Sequence, residues 1–346
     1  MTERARVTLA EIADEAGVSL ATMSKVLNGR VDVAPATRAR LEAHLARHGY
    51  TRRAAPQRSD LVELVFHELE ASWSMEVIQG VQDVALAAGY SVVLTVSGDR
   101  HAPADDWIEG VLRRRPACVV LVFSDIAPRH REKLRSRGIP FVIVDPAGDP
   151  SPDVPSVGSA NWSGGLVATR HLIELGHRRI AAISGPEDMM CSLARVDGYR
   201  SAMNAAGLPI DPDLVRFGDF LPDEGERHAR ELLALPEPPT AIFAGSDLQA
   251  LGVMAACAAA DLRVPRDVSV VGYDDIAVAR WTTPTLTTVH QPLRRMGEEA
   301  TRMALKLAGG TRVETVRMDL ATHLVVRDST AAPRTPRSNG RSEDKR

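Results

Sequence analysis

A small all-α domain followed by an α/β protein in two doubly wound, parallel-sheet halves is the fold class that this sequence of 346 residues predicts. Three observations carry it. Residues 7–29, VTLAEIADEAGVSLATMSKVLNG, hold two helix-length segments joined by Ala-Gly-Val, too short to form a core alone. From about residue 60, short apolar runs alternate with amphipathic stretches, the pattern of parallel strands covered by helices on both faces. A break rich in proline, PAGDPSPDVP, follows Asp145 and divides those runs into two sets of about four.

In the opening stretch, Thr8 with Glu11 reads as a capping box, and Leu9, Ile12, Ala13 and Ala16 fall on one helical face. Gly17 ends that helix. Ser19 can cap a second one, in which Met23, Val26 and Leu27 form the buried stripe and Asn28-Gly29 closes the end. This grammar points Leu20, Ala21, Thr22, Ser24 and Lys25 away from the core, and a third helix from Pro35 to about His48 supplies Leu41 and Leu45. On these residues alone the segment is either a helix-turn-helix or an ordinary helical hairpin.

The apolar runs are LVELVF, SVVLTVS, CVVLVFS and FVIVDP before the break, then RIAAISG, LVRFGDF, TAIFAGS and VSVVGYDD after it. Doubly wound sheets place ligands at the carboxyl ends of their strands, so a cleft between the halves is expected. The tail 329–346, rich in Pro, Arg and Ser, is expected to be disordered.

With 42 Lys and Arg against 45 Asp and Glu, no bulk charge selects a partner. Its distribution does more: residues 1–58 hold ten basic and six acidic residues, a net charge of +4 on a negative chain. Cys118, Cys191 and Cys257 are isolated, which indicates neither a disulfide framework nor a zinc site and suits a reducing compartment. No signal-like h-region or run of about 18 apolar residues occurs, so a cytoplasmic chain without membrane contact is expected. No GxSxG, HExxH or phosphate loop occurs, so no enzyme, cofactor or metal is expected.

The opening stretch, followed by VAPATRARLEAHLARHGY, resembles the headpiece of the LacI/GalR family of bacterial transcriptional regulators. The likeness continues in order and spacing through SANWSGGLVATRHLIELGHRRIAAISGP, ARVDGYRSAMNAAGL, AGSDLQALGVMAA and LRVPRDVSVVGYDDIAVARWTTPTLTTVHQPLRRMGEEA. It implies a helix-turn-helix DNA-binding headpiece over 1–50, a short basic hinge linker over 51–60 and a periplasmic-binding-protein-like effector sensor over 61–328. One subdomain of the sensor would take about 61–160 and 291–312, the other about 161–290 and 313–328. The implied partners are a palindromic double-stranded DNA operator, a small effector, a sugar by family frequency, and further copies of the chain in a homodimer or tetramer.

In that scheme the second helix lies in the major groove. Leu20 and Ala21 would touch thymine methyls and Lys25 would donate to guanine, while Thr22, Ser24 and Asn28 meet phosphates. Leu20 has an alternative, closing the apolar stripe. Thr8 and Ser19 at the two helix starts, and Arg52 and Arg53 in the linker, join the DNA-binding set. The linker departs from the family pattern: no Leu stands between Tyr50 and Leu61, so the apolar wedge that family members insert in the minor groove is absent.

For the effector, the resemblance implies Arg195, ahead of VDGY, and Phe220, ending LVRFGDF, with Trp73 walling the opposite side. Asp274 follows SVVGY, and Ser246 with Asp247 opens the helix after AIFAGS, where Asp247 is either a ligand or a helix cap. Cys191 reads as a bystander and His177 as a turn residue, while Trp281 either reaches the cleft or packs.

Overall fold

The computed structural model describes residues 7–27, 33–48, 59–69, 73–99, 105–122, 126–146, 148 and 151–334. Two compact units, Met1–Ser59 and Asp60–Arg346, make up the chain.

The first unit contains α1 (Leu9–Glu15), α2 (Leu20–Leu27) and α3 (Pro35–Arg47). Thr8 caps α1: its Oγ1 accepts from the Glu11 amide at 3.3 Å while Glu11 accepts from the Thr8 amide at 2.6 Å. Ser19 starts α2 by accepting from the Thr22 amide at 3.2 Å. Between the caps, Gly17 takes a φ of +67°, a conformation that favours glycine. Ile12, Ala13, Met23, Val26, Leu41 and Leu45 form the core, with Leu9 and Leu27 half-buried at its edge. Asn28, Arg52 and Arg53, with most of the 51–60 linker, lie outside the described residues.

The second unit opens with β1 (Ser59–Phe66), α4 (Trp73–Ala87), β2 (Ser91–Val96), α5 (Asp106–Arg114), β3 (Pro116–Val122), α6 (Pro128–Ser136), β4 (Phe141–Val144) and β5 (Ser156–Ser159). A second set follows: α7 (Asn161–Glu174), β6 (Ile180–Ser184), α8 (Met190–Ala205), β7 (Val215–Phe217), α9 (Pro222–Leu233), β8 (Ala241–Ala244), α10 (Asp247–Ala259), β9 (Ser269–Asp274) and β10 (Thr287–His290). The chain then returns to the first lobe through α11 (Leu293–Ala308) and β11 (Arg317–Leu320), and ends in the second with β12 (His323–Val325). Each lobe holds one six-stranded sheet, ordered β11-β5-β4-β3-β1-β2 and β12-β10-β9-β8-β6-β7. Strands such as β3 are buried along their whole length, because helices cover both faces; this is why they read as unbroken apolar runs.

Three boundaries differ from the sequence expectation. The proline-rich segment does not part the halves: β5 follows it and pairs in parallel with β4, so the first crossing comes at Ala160. Residues 313–320 do not belong to the second lobe, since β11 pairs in parallel with β5. Nor is the tail disordered from residue 329. Ser329 is fully buried, donating to the Val270 carbonyl at 2.6 Å and accepting from the Thr287 amide at 2.8 Å. His177 holds the same strap, reaching the Ala331 carbonyl at 2.9 Å and Thr240 at 2.8 Å. Residues 335–346 lie outside the described part. Among the described residues no helix is long and apolar enough to cross a membrane.

Candidate functional sites

In the first unit, the caps and core fix which face α2 presents. Met23 and Val26 point inward, so Leu20, Ala21 and Lys25 are left on the outer face and Thr22 and Ser24 on its flanks. Leu20 is 50 % exposed, which removes the alternative that it closes the apolar stripe. Thr8 and Ser19 spend their hydroxyls as helix caps, Ser19 also meeting Thr22 Oγ1 at 2.9 Å. An exposed helix face of small, apolar and cationic residues is the surface that fits a major groove.

In the second unit, a cavity of about 540 Å³ lies where strands of both sheets end. The first lobe contributes His67 and Glu68 after β1, Trp73 at the start of α4, and Val96, Gly98 and Asp99 at the end of β2. From the second come Met189, Arg195, Phe220, Ser246 and Asp274, and Gln291 joins from a crossing segment.

Arg195 organises the second lobe's side. It is 3 % exposed, and its Nε donates to Asn161 Oδ1 at 2.8 Å, one Nη to Gln291 Oε1 at 2.8 Å, and the other to the Gly245 carbonyl. The guanidinium carbon stands 3.8 Å from the centre of the Tyr273 ring and 5.3 Å from that of Phe220. A cation beside two aromatic rings, with all three of its nitrogens hydrogen-bonded, is held in place before any ligand arrives. Asp274 lies 4.0 Å from it. Burial pushes the Asp274 carboxyl up to about 7, although the positive charge of Arg195 opposes the shift. Asp145, at the end of β4, is likewise pushed up to about 6 by burial against the pull of Arg195.

Phe220 leaves β7, which is shorter than the sequence suggested, and lies over Gly185, where a Cβ would come within 2.2 Å of its ring. Ser246 fixes it from behind, donating to the Phe220 carbonyl at 2.8 Å while capping α10 through the Gln249 amide at 3.0 Å. Opposite, Trp73 packs on Phe66 with ring centres 5.8 Å apart.

Asp247 is a correction. It is fully buried and does not line the cavity: its carboxylate accepts from the Ile276 amide at 2.9 Å and from the Thr288 hydroxyl, tying the segment after β9 to β10. Burial, reinforced by the charge of Asp274, raises its carboxyl well above the usual range. Trp281 is 78 % exposed and away from the cavity lining. Cys191 is buried, and burial pushes its thiol up to about 12, which leaves it unreactive. Asn161, Gln291, Tyr273 and Asp145 were missed from the sequence. Asp145 had a signal, since FVIVD ends a strand on a carboxylate as SVVGYD does. Among the described residues no three His, Cys, Asp or Glu side chains gather as a metal ion would need.

Residues 8–53 match the family described as bacterial regulatory proteins, lacI family, and residues 169–330 match a periplasmic binding protein-like domain. The HTH-type transcriptional regulator CelR of Thermobifida fusca is 38 % identical over 342 residues, covering 95 % of this chain and all of the relative. The chain belongs to the lacI family of bacterial regulatory proteins. Within this family, the HTH-type transcriptional repressor PurR of Erwinia tasmaniensis is 32 % identical over 330 residues, covering 94 % of this chain and 97 % of that one. Among solved structures of family members, a CelR–cellobiose complex superposes with a TM-score of 0.71 at 38 % identity, covering 94 % of this chain and 100 % of the other. A lac repressor dimer bound to operator and the anti-inducer ONPF gives 0.69 at 26 % identity, covering 95 % and 100 %. The first unit is therefore the family's DNA-binding domain, and the second its two-lobed ligand-binding fold.

Proposed function

We propose that the protein is a cytoplasmic transcriptional repressor that binds a palindromic operator as a homodimer, and that a sugar held in the cleft sets its operator affinity. The observation that carries this reading is the cleft: two aromatic faces, Trp73 and Phe220, one from each lobe, around the carboxylate of Asp274. A sugar needs its C–H faces buried and its hydroxyls hydrogen-bonded, and this lining offers both. The effector is a disaccharide of the cellobiose kind. The relative solved with cellobiose supports this choice, as does a volume larger than one sugar ring fills. Binding as a dimer follows the lac repressor structure, which is a dimer on its operator. On DNA, Leu20, Ala21 and Lys25 read base edges, Thr22, Ser24 and Asn28 meet phosphates, and Arg52 and Arg53 track phosphate or a narrowed minor groove. No catalytic role is proposed.

The test is selection of genomic fragments bound by the full chain, with and without cellobiose, beside calorimetry of cellobiose binding. Enrichment of a palindrome, with an occupancy that changes when cellobiose is added, is expected; glucose and a free nucleobase serve as comparison ligands. Operator affinity should also fall steeply with salt as counterions are released. A chain that binds cellobiose but prefers no DNA sequence is instead a sugar-binding module, and indifference to cellobiose rejects the effector.

A further inference from the structure

A second cavity, of about 550 Å³, shares Asp274, Gln291 and Leu293 with the cleft wall but is otherwise lined by different residues. These come from the crossing segments, the first turns of α11 and the 3-10 turn Ala277–Arg280. Three of its four acidic side chains are committed to cations. Asp275 pairs with Arg327 and meets His290 at 3.2 Å, Glu298 pairs with Arg302 at 2.9 Å, Asp274 lies 4.0 Å from Arg195, and Glu76 adds to the negative charge around Arg294. Arg294 is itself held by Asp83, its Nε donating at 3.0 Å.

Two cations are left over. Arg280 and Arg295 are exposed, line this cavity, and have no ion-pair or hydrogen-bond partner among the described residues. Beside them, His290 and His323 face each other across the β10/β12 ladder with ring centres 4.9 Å apart. No side chain caps the adjoining start of α11, so the helix dipole adds to the same field. Two unpartnered guanidinium groups, with imidazole side chains beside them, around a roomy, solvent-open space suit a compact, multiply charged oxyanion.

We propose that this cavity is a second ligand site, which takes a phosphate-type oxyanion, free or as a phosphate ester. Arg280 belongs to the second lobe and Arg295 to the helix that returns to the first, so a bound phosphate would join the two lobes.

The experiment is calorimetry of the full chain with inorganic phosphate and, separately, glucose 6-phosphate, with chloride keeping ionic strength constant. Saturable binding of one anion per chain is expected, weakened about tenfold or more in the double variant Arg280→Ala/Arg295→Ala. The charge-matched variant Arg113→Ala/Arg266→Ala, with both changes at exposed positions outside this cavity, should bind as the parent does. Tighter binding of glucose 6-phosphate names a phosphorylated metabolite as the source, equal binding names free phosphate, and either supports the site. Absence of saturable binding for both, or equal weakening in the two double variants, overturns it. Cellobiose titrated into the same proteins without phosphate reads the cleft separately. If the first double variant melts early, Arg295→Gln alone must still weaken phosphate.

Discussion

In the second lobe the strand ends deliver a finished polar cluster, whereas the matching positions of the first lobe deliver an aromatic wall and one buried carboxylate. The two sheets have the same order, so β4 and β9 are counterparts, and each ends on an aspartate with a positive φ, +46° at Asp145 and +111° at Asp274. Asp274 reaches the cavity beside an arginine held by three hydrogen bonds. Asp145 does not reach it, and its Oδ2 has no hydrogen-bond partner among the described residues. One scaffold used twice has thus been specialised. The second lobe lines the cavity with a hydrogen-bonded arginine cluster, and the first with the aromatic side chain of Trp73.

The largest expected effect breaks the second lobe's cluster. Arg195→Ala leaves Asp274, Gln291, Asn161 and the Gly245 carbonyl without their cation, and should cost about 3 to 5 kcal/mol of stability. Thermal melts should show the drop, and calorimetry the loss of cellobiose binding. A variant that melts with the parent and still binds would dissolve the contrast between the lobes.

The next effect comes from the first lobe and is read by pH. Asp145 and Asp274 are both raised by burial, so the folded protein holds protons that the unfolded chain releases. Stability must then fall as pH rises from about 4 through 6, with Asp274 carrying the fall to about 7. The part due to Asp145 is as much as about 3 kcal/mol, given its shift of roughly two pH units. Asp145→Asn should flatten that part and leave the Asp274 part. Denaturant midpoints measured at intervals from pH 4 to 7 will show it, and an unchanged slope refutes the buried role.

Truncating the two aromatic walls separates packing from binding. Trp73→Ala should lower both the melting temperature and cellobiose affinity, since Trp73 is buried against Phe66. Phe220→Ala, at a half-buried ring, should lower affinity by about 1 to 3 kcal/mol with little change in melting. Gly185→Ala should mimic it by displacing the ring. Equal melting losses at Trp73 and Phe220 would mean that the walls are alike.

The smallest effect lies outside the lobes. Arg52→Ala/Arg53→Ala in the leucine-free linker should make the dependence of log operator affinity on log salt shallower by about 1 for each lost phosphate contact. Operator bending by gel mobility should be slight even in the parent. A sharp central kink, or an unchanged slope, sets these arginines apart from the DNA.

The architecture was legible where burial leaves a periodic trace. Both caps of the first unit, its core and the long apolar strands could be read from Thr8, Ser19, Met23 and runs such as CVVLVF. The short strands could not: β5 is Ser-Val-Gly-Ser and β11 is Arg-Met-Asp-Leu, neither an apolar run, and their strand character comes from partners distant in sequence. The site divided in the same way. Arg195, Phe220, Ser246 and Asp274 sit at legible strand ends or helix starts and line the cavity, whereas Asp247 occupies an equally legible helix start and faces inward. Which way a carboxylate points depends on Thr288 and the Ile276 amide, 41 and 29 positions away, and no local pattern records them.

The return of α11 and β11 to the first lobe also sets a timetable for synthesis. Emerging from the ribosome, the first lobe has most of its strands by residue 159, yet its sheet edge and the helix that packs on α4 are not translated until residues 293–320. The lobe that starts first is finished only once nearly all of its neighbour has been made, so a nascent chain must keep an apolar face waiting while some 130 residues are added. A message truncated anywhere before codon 320 therefore yields two incomplete lobes, not one sound lobe and one damaged one.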